Sequence, residues 1–151
     1  MSMTREYLKI LHLEIWSLIK LIIAKAISCF VKVDDLWLIS ERGDEARDNA
    51  YVFFVWLKKN HPEVNAKFII SKKSKDLSKL EPFMQDIVFY DTPEHYLKLF
   101  QASYLISTHI CGYRPKLAIF SELDRRYDIL RGQKRIFLQH GITKDNIKGL
   151  Y

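Results

Sequence analysis

The sequence predicts an α/β protein built on a Rossmann-like, mostly parallel, doubly wound sheet and preceded by one long amphipathic helix. Three observations carry that expectation. Short apolar runs recur after residue 33, each stopped by polar or turn-forming residues. Between them lie segments of helical composition with recognisable ends. Strands alternating with helices in this way close into a parallel sheet through right-handed crossovers.

With 151 residues, 48% of them hydrophobic and 28% charged, the chain is long enough for one domain with a real core. Cys29 and Cys111 have no Cys-x-x-Cys spacing, which argues against a disulfide framework or a zinc site and for a reducing, cytoplasmic setting. The formal charge of +6 favours anionic partners, among which charge alone does not choose.

Residues 1–33 form a segment of their own. From Tyr7 to Val31 the chain is rich in Leu, Ile, Ala, Trp and Phe without Gly or Pro, which reads as a single helix. Lys9, Lys20, Lys25 and Lys32 interrupt its apolar run well short of the ~20 residues that a membrane span needs, and no signal-peptide cleavage pattern follows. The segment carries half the excess positive charge of the chain, and it reads equally as an interfacial membrane helix or as one packed on protein. His12 lies on this helix.

Residues 34–151 carry the alternation. Leu36–Ile39 reads as the first strand, followed by a polar loop and a helix over Ala50–Lys59. Asp48 or Asn49 is its N-cap, Lys58 and Lys59 suit its negative end, and His61-Pro62 stops it. Lys67–Ile70 and Ile87–Tyr90 read as the second and third strands, with a short helical or irregular connection over Lys75–Met84. Pro93 opens a helix that leads to a fourth strand at Tyr104–Ser107. Cys111–Pro115 reads as a turn, Ser121–Leu130 as a charged helix stopped by Gly132, and the run from Lys134 as a buried fifth strand. Trp37, Phe53, Phe54 and Trp56 follow the spacing of burial and read as core. His61 and His95 read as surface or helix-end residues.

Ligands of open α/β sheets bind beyond the carboxyl ends of the strands, where this chain is polar three times. Ser40-Glu41-Arg42, Ser107-Thr108-His109 and Gln139-His140-Gly141 share one crevice if the strand order allows. His140, delivered by a strand and followed by glycine, is the leading candidate for chemistry, because an imidazole accepts a proton at neutral pH. Its position alone also fits a strand-end histidine bonded to a backbone carbonyl. Glu41 and Arg42 are candidate contacts or partners in an intraloop ion pair with Asp44 or Arg47. Asp48 and Asn49 are helix-cap residues first, and His109 fits the crevice and an ordinary loop equally. No Gly-x-Gly-x-x-Gly follows the first strand and no P-loop occurs, which excludes the usual dinucleotide and NTPase cradles. No histidine has metal-ligand spacing with another.

Leu38-Ile39-Ser40-Glu41-Arg42 with Ala46 and Asp48-Asn49, then His61-Pro62-Glu63, Tyr104–Ser107 and Phe137–Thr143 together resemble the first half of the catalytic region of the CDP-glycerol glycerophosphotransferases, the teichoic-acid primases and polymerases. The resemblance runs from about Leu36 to the end of the chain. It implies a GT-B architecture of two Rossmann-like halves, of which 34–151 is the first, associated peripherally with the cytoplasmic face of the membrane. The implied reaction moves glycerol phosphate from CDP-glycerol, or a related CDP-alditol, to a polyprenyl-linked acceptor, with no cofactor and no nucleic-acid partner. His140 is then the catalytic base, with Glu41, Arg42, Asp48, Asn49, Thr108, His109, Gln139 and Gly141 around the substrates. The second half would act in cis or in trans. The alternatives are an inactive or split fragment serving as a membrane-associated interaction module, and a nucleotide-sugar glycosyltransferase of the same architecture.

Overall fold

The computed structural model describes residues 3–109 and 112–139, with side chains from residue 14 onward apart from that of Ala118. Five strands, β1 (Trp37–Ser40), β2 (Ala66–Ile70), β3 (Ile87–Phe89), β4 (Tyr104–Ser107) and β5 (Lys134–Phe137), form one sheet in the order β3-β2-β1-β4-β5. All four pairings are parallel. The chain winds outward from β1 to β3, then returns to the far side of β1, so the strand order reverses between β1 and β4. That reversal is the place where a doubly wound sheet opens a crevice.

Helices α1 (Met3–Phe30), α2 (Asn49–Asn60), α3 (Pro93–Gln101) and α4 (Ala118–Tyr127) cover the sheet, with a 3-10 segment at Leu77–Asp86. Successive strand residues point to opposite faces, so both faces need an apolar cover and the inner strands read as unbroken apolar runs. On one face Leu38, Ile69, Val88 and Leu105 pack with Leu21 and Ala24 of α1, Leu99 of α3 and Phe120 of α4. On the other, Ile39, Phe68, Ile70 and Ile106 meet Ala50, Phe54 and Leu57 of α2. The Phe54 ring lies 5.3 Å from that of Phe68 and 5.6 Å from that of Phe83, in tilted and edge-on geometry.

The helix ends follow local chemistry. The Asp48 side chain caps α2, and Lys58 and Lys59 lie in its last turn. Thr92 Oγ1 accepts the His95 N–H at 3.2 Å, and Pro93 opens α3. Asp76 ties the 3-10 segment to the loop after β1. Its carboxylate accepts the Ala46 N–H at 3.1 Å and pairs with Lys79, and both hold it below the usual carboxylate range.

Tertiary context moved four expectations. The last helix starts three residues before Ser121 and ends at Tyr127, where Asp128 takes a left-handed conformation; Gly132, also at positive φ, serves the turn into β5. The fifth strand is not buried. All four residues of β5 are exposed, because it is the sheet edge and α4 reaches it through ion pairs rather than apolar contacts. Trp56 is half-exposed, stacked beside Phe53 and near His61 rather than in the core. His95, expected at the surface, is fully buried.

α1 packs one stripe on the core and leaves Trp16, Ile22, Ile23 and Phe30 exposed. No helix of the described residues is long and apolar enough to cross a membrane.

The loop between β1 and α2 depends on one buried carboxylate. Glu41 is 1% exposed; its Oε1 accepts the N–H groups of Asp48 (2.8 Å) and Tyr51 (3.0 Å), and its Oε2 that of Arg47 (3.0 Å). These donors sit at the positive end of α2, where a negative charge is favoured. Replacing Glu41 by Ala leaves three donors without an acceptor. Urea unfolding should therefore show a loss of about 2–4 kcal/mol. Glu41→Gln, which keeps one carbonyl oxygen for the donors, should lose less than half as much; equal midpoints for wild type and Glu41→Ala would refute the assignment.

Candidate functional site

The carboxyl ends of β1 and β4 are joined by a short polar chain. Ser40 Oγ lies 3.3 Å from Ser107 Oγ, Ser107 Oγ–H donates to the Glu41 carbonyl at 3.4 Å, and the His109 N–H donates back to Ser107 Oγ at 3.1 Å. Immediately above this seam the Arg42 Nε–H donates to His109 Nε2, so the side chains that follow β1 and β4 meet at the reversal of strand order. Arg42 also lies 3.9 Å from Glu45, at the limit of an ion pair.

The chain after β5 is drawn toward the same place. The Leu138 N–H donates to the Ser107 carbonyl at 2.9 Å, and the Leu138 side chain packs on the α2 face of the sheet. The carbonyl of Gln139 then accepts the Asn49 side-chain amide from the first residue of α2. Arg42, Asn49, His109 and Gln139 are thus brought together around one crevice. His140, Gly141 and the rest of the Gln-His-Gly-Ile-Thr stretch lie outside the described residues.

Two expected contacts are turned inward. Glu41 binds backbone N–H groups rather than the side chains of Arg47 or Asp44, and Arg47 instead pairs with Glu45. Thr108 is 1% exposed. Asp48 accepts from the Asn49 N–H at 2.8 Å, which gives it the cap role. Arg42, Asn49 and Gln139 are exposed and His109 is half-buried, so all four are reachable from solvent.

Sequence reasoning missed the wall of the crevice. A cavity of about 180 Å³ is lined by Ser107, His109, Tyr113, Arg114, Arg135 and Phe137. Asp124, 4% exposed, holds both arginines: its carboxylate lies 2.7 Å from Arg114 and 3.4 Å from Arg135, and Arg135 also pairs with Asp128 at 2.6 Å. The guanidinium charges on this side are therefore largely matched. Gly112 shows why the wall sits so close. A Cβ there would lie 1.8 Å from the Glu41 carbonyl oxygen and 2.3 Å from Ser107 Oγ, so the loop after β4 touches the seam only because residue 112 is glycine. The sequence signals a turn at Gly112 but not its neighbours.

The arrangement joins a cation, an imidazole and an amide at a sheet opening, which suits an anionic ligand and a proton transfer. Comparison with known proteins gives it a lineage. Residues 22–147 match the family model described as CDP-glycerol:poly(glycerophosphate) glycerophosphotransferase. The chain is similar to the minor teichoic acid biosynthesis protein GgaB of Bacillus subtilis (strain 168), at 33% identity over 110 residues that cover 72% of this chain and 12% of that protein. No solved structure matches. With a family match that takes in the whole sheet and every described residue of the crevice, the chain belongs to the CDP-glycerol:poly(glycerophosphate) glycerophosphotransferase family.

Proposed function

We propose that this chain is the amino-terminal half of a GT-B glycerophosphotransferase, transferring glycerol phosphate from CDP-glycerol to a lipid-linked acceptor in teichoic-acid synthesis. The carrying observation is the crevice at the strand reversal, in a chain of this family, into which the last described residue before His140 is drawn. The chain spans 12% of the length of its relative, and a second half in cis or in trans completes the site in this reading.

The reaction needs an alcohol deprotonated as it attacks phosphorus, and charge stabilised on the transferring phosphoryl group. In the proposed division of labour the His140 imidazole takes the hydroxyl proton while CMP leaves. Arg42 faces the anionic groups, and His109, which accepts from Arg42, orients the guanidinium. The head of α2 is disfavoured for phosphate, because the Glu41 carboxylate already stands there and takes the Tyr51 N–H of its first turn.

α1 supports peripheral membrane association. Ser17 lies by the Tyr96 hydroxyl, Lys25 lies over the Phe100 ring, and the Val31 carbonyl accepts from Gln101, so α1 and α3 run in the same sense. α3 leaves the carboxyl end of β3, and the amino end of α1 therefore lies on the crevice side of the sheet. Its exposed isoleucines, Trp16, and the exposed Lys20 and Lys32 form an apolar and basic surface suited to an anionic bilayer.

Radiolabelled CDP-glycerol and a lipid-linked acceptor analogue, with the chain alone and with the remaining catalytic region supplied in trans, test the reaction. His140→Ala should lower transfer by about 10²–10⁴-fold while the melting temperature holds. Wild-type turnover in that variant would remove His140 from catalysis, and turnover with a nucleotide sugar but not CDP-glycerol would favour a glycosyltransferase.

Vesicle cosedimentation tests the surface. Leu21 and Ala24 belong to the core, so charge reversal is a cleaner perturbation than deleting α1. Lys20→Glu with Lys32→Glu should weaken binding to anionic vesicles at least tenfold, at about 1 kcal/mol per basic residue near the surface, and high salt should do the same to the wild type. Binding indifferent to both would refute an electrostatic contribution.

A further inference from the structure

His95 is used by nothing described so far. It is fully buried at the start of α3, yet both ring nitrogens are engaged. The Asp91 N–H donates to Nδ1 at 3.1 Å, which leaves Nδ1 as an acceptor, and Nε2 lies 2.9 Å from the Tyr113 carbonyl oxygen. A carbonyl only accepts, so Nε2 carries the proton and donates. The imidazole is a neutral, single-tautomer bridge between the turn after β3 and the loop after β4.

The same turn grips that loop at two further points. The Tyr90 hydroxyl donates to the Arg114 carbonyl, and the Lys116 N–H donates to Asp91 Oδ1 at 3.1 Å. Tyr113, Arg114 and Lys116 are therefore all tied down from one side. From the other side Gly112 is pressed against the Glu41 carbonyl and Ser107 Oγ. The Tyr90 ring stacks on His95 at 5.1 Å, and a Cβ on Gly43, in the loop after β1, would lie 3.0 Å from Tyr90.

We infer that His95 is a positioning residue of the crevice: through the Tyr113 carbonyl it seats the loop whose residues Tyr113 and Arg114 form the wall opposite His109. The inference rests on the reading of that crevice as the transfer site. The loop has little choice of its own, since its glycine is fixed by close approach rather than by a positive φ. Its height above the sheet is set by what bonds its carbonyls, and His95 supplies a fully buried donor to one of them. Burial supports the role, holding the His95 pKa down at about 4, so the imidazole stays neutral across the physiological range. The titratable and charged groups packed about it are Asp91 on its own turn, Tyr90, Tyr96 on α3, Tyr113 and Lys116 across the loop.

Two near-isosteric variants separate the bonds. In His95→Gln the new side-chain amide nitrogen replaces Nε2 as donor to Tyr113; His95→Asn replaces Nδ1 as acceptor and leaves Tyr113 without its donor. Hydrogen exchange of the amides of Gly112, Tyr113, Arg114 and Lys116, together with the imidazole resonances of His109, reads the seating in the whole chain. His95→Asn should speed exchange of those amides at least tenfold relative to β1 and β2 and shift His109; His95→Gln should restore both to within about threefold. Wild-type exchange in His95→Asn, or a uniform rise across the strands in both variants, would overturn the role. CDP-glycerol titrated against the His109 resonance of the wild type tests the transfer-site reading separately: no shift there with the exchange pattern intact defeats that reading and retains His95 as the seat of the loop.

Discussion

A carboxylate buried at the head of α2 sets what this crevice is able to hold. In a doubly wound sheet the first helix after the first strand begins with free N–H groups at positive potential, and nucleotide-binding versions leave them open for a phosphate by placing glycines before them. Here Glu41 accepts one of those donors, the Tyr51 N–H, together with the N–H groups of Arg47 and Asp48 just before the helix. The missing glycine fingerprint and the buried glutamate are two sides of one solution. A carboxylate thus already stands at the head of the helix, and the side chains that meet beyond the strand ends are Arg42 after β1 and His109 after β4.

The same carbonyl-level closeness explains why the loops above the sheet are ordered relative to each other. Glu41 uses its side chain to hold α2 and its backbone carbonyl to meet Ser107 and the face of Gly112. A shift of this residue would move the α2 head, the β1–β4 seam and the wall of the cavity together. Buried hydrogen bonds to a charged group are worth more than neutral ones, and the donors left behind would be costly to bury alone. The crevice is thus coupled to fold stability through one buried residue.

What the sequence made legible was whatever is decided within a few residues. The fourth strand at Tyr104–Ser107, the Asp48 cap, the Pro93 helix start and the parallel alternation all follow from local signals, and the structure has them. The convergence of Arg42, His109 and Gln139 was legible too, because strand ends of a doubly wound sheet have a known meeting place. Burial set by distant partners was not. His95 looked like a surface residue because Pro93-Glu94-His95 is a polar helix start, and nothing local announces the Tyr113 carbonyl that receives its proton. Ile136 and Phe137 read as interior strand residues, yet β5 is the edge and its neighbours α4 and β4 leave both exposed. Glu41 beside Arg42 and Arg47 suggested ion pairs, whereas the donor that Arg47 gives it is the backbone N–H.

The sidedness of α1 bears on how an acceptor would reach the crevice. A lipid-linked chain must present its hydroxyl end to the enzyme while its anchor stays in the bilayer, which is easiest when the membrane-facing surface and the reaction site lie at one end of the molecule. Since α1 and α3 run in the same sense, the amino end of α1 and the carboxyl ends of the strands share that end. The same stretch of α1 places Leu21 and Ala24 in the core against α3 and turns Trp16, Ile22, Ile23 and Phe30 to solvent. One helix thereby links the packed domain to an exposed apolar and basic surface.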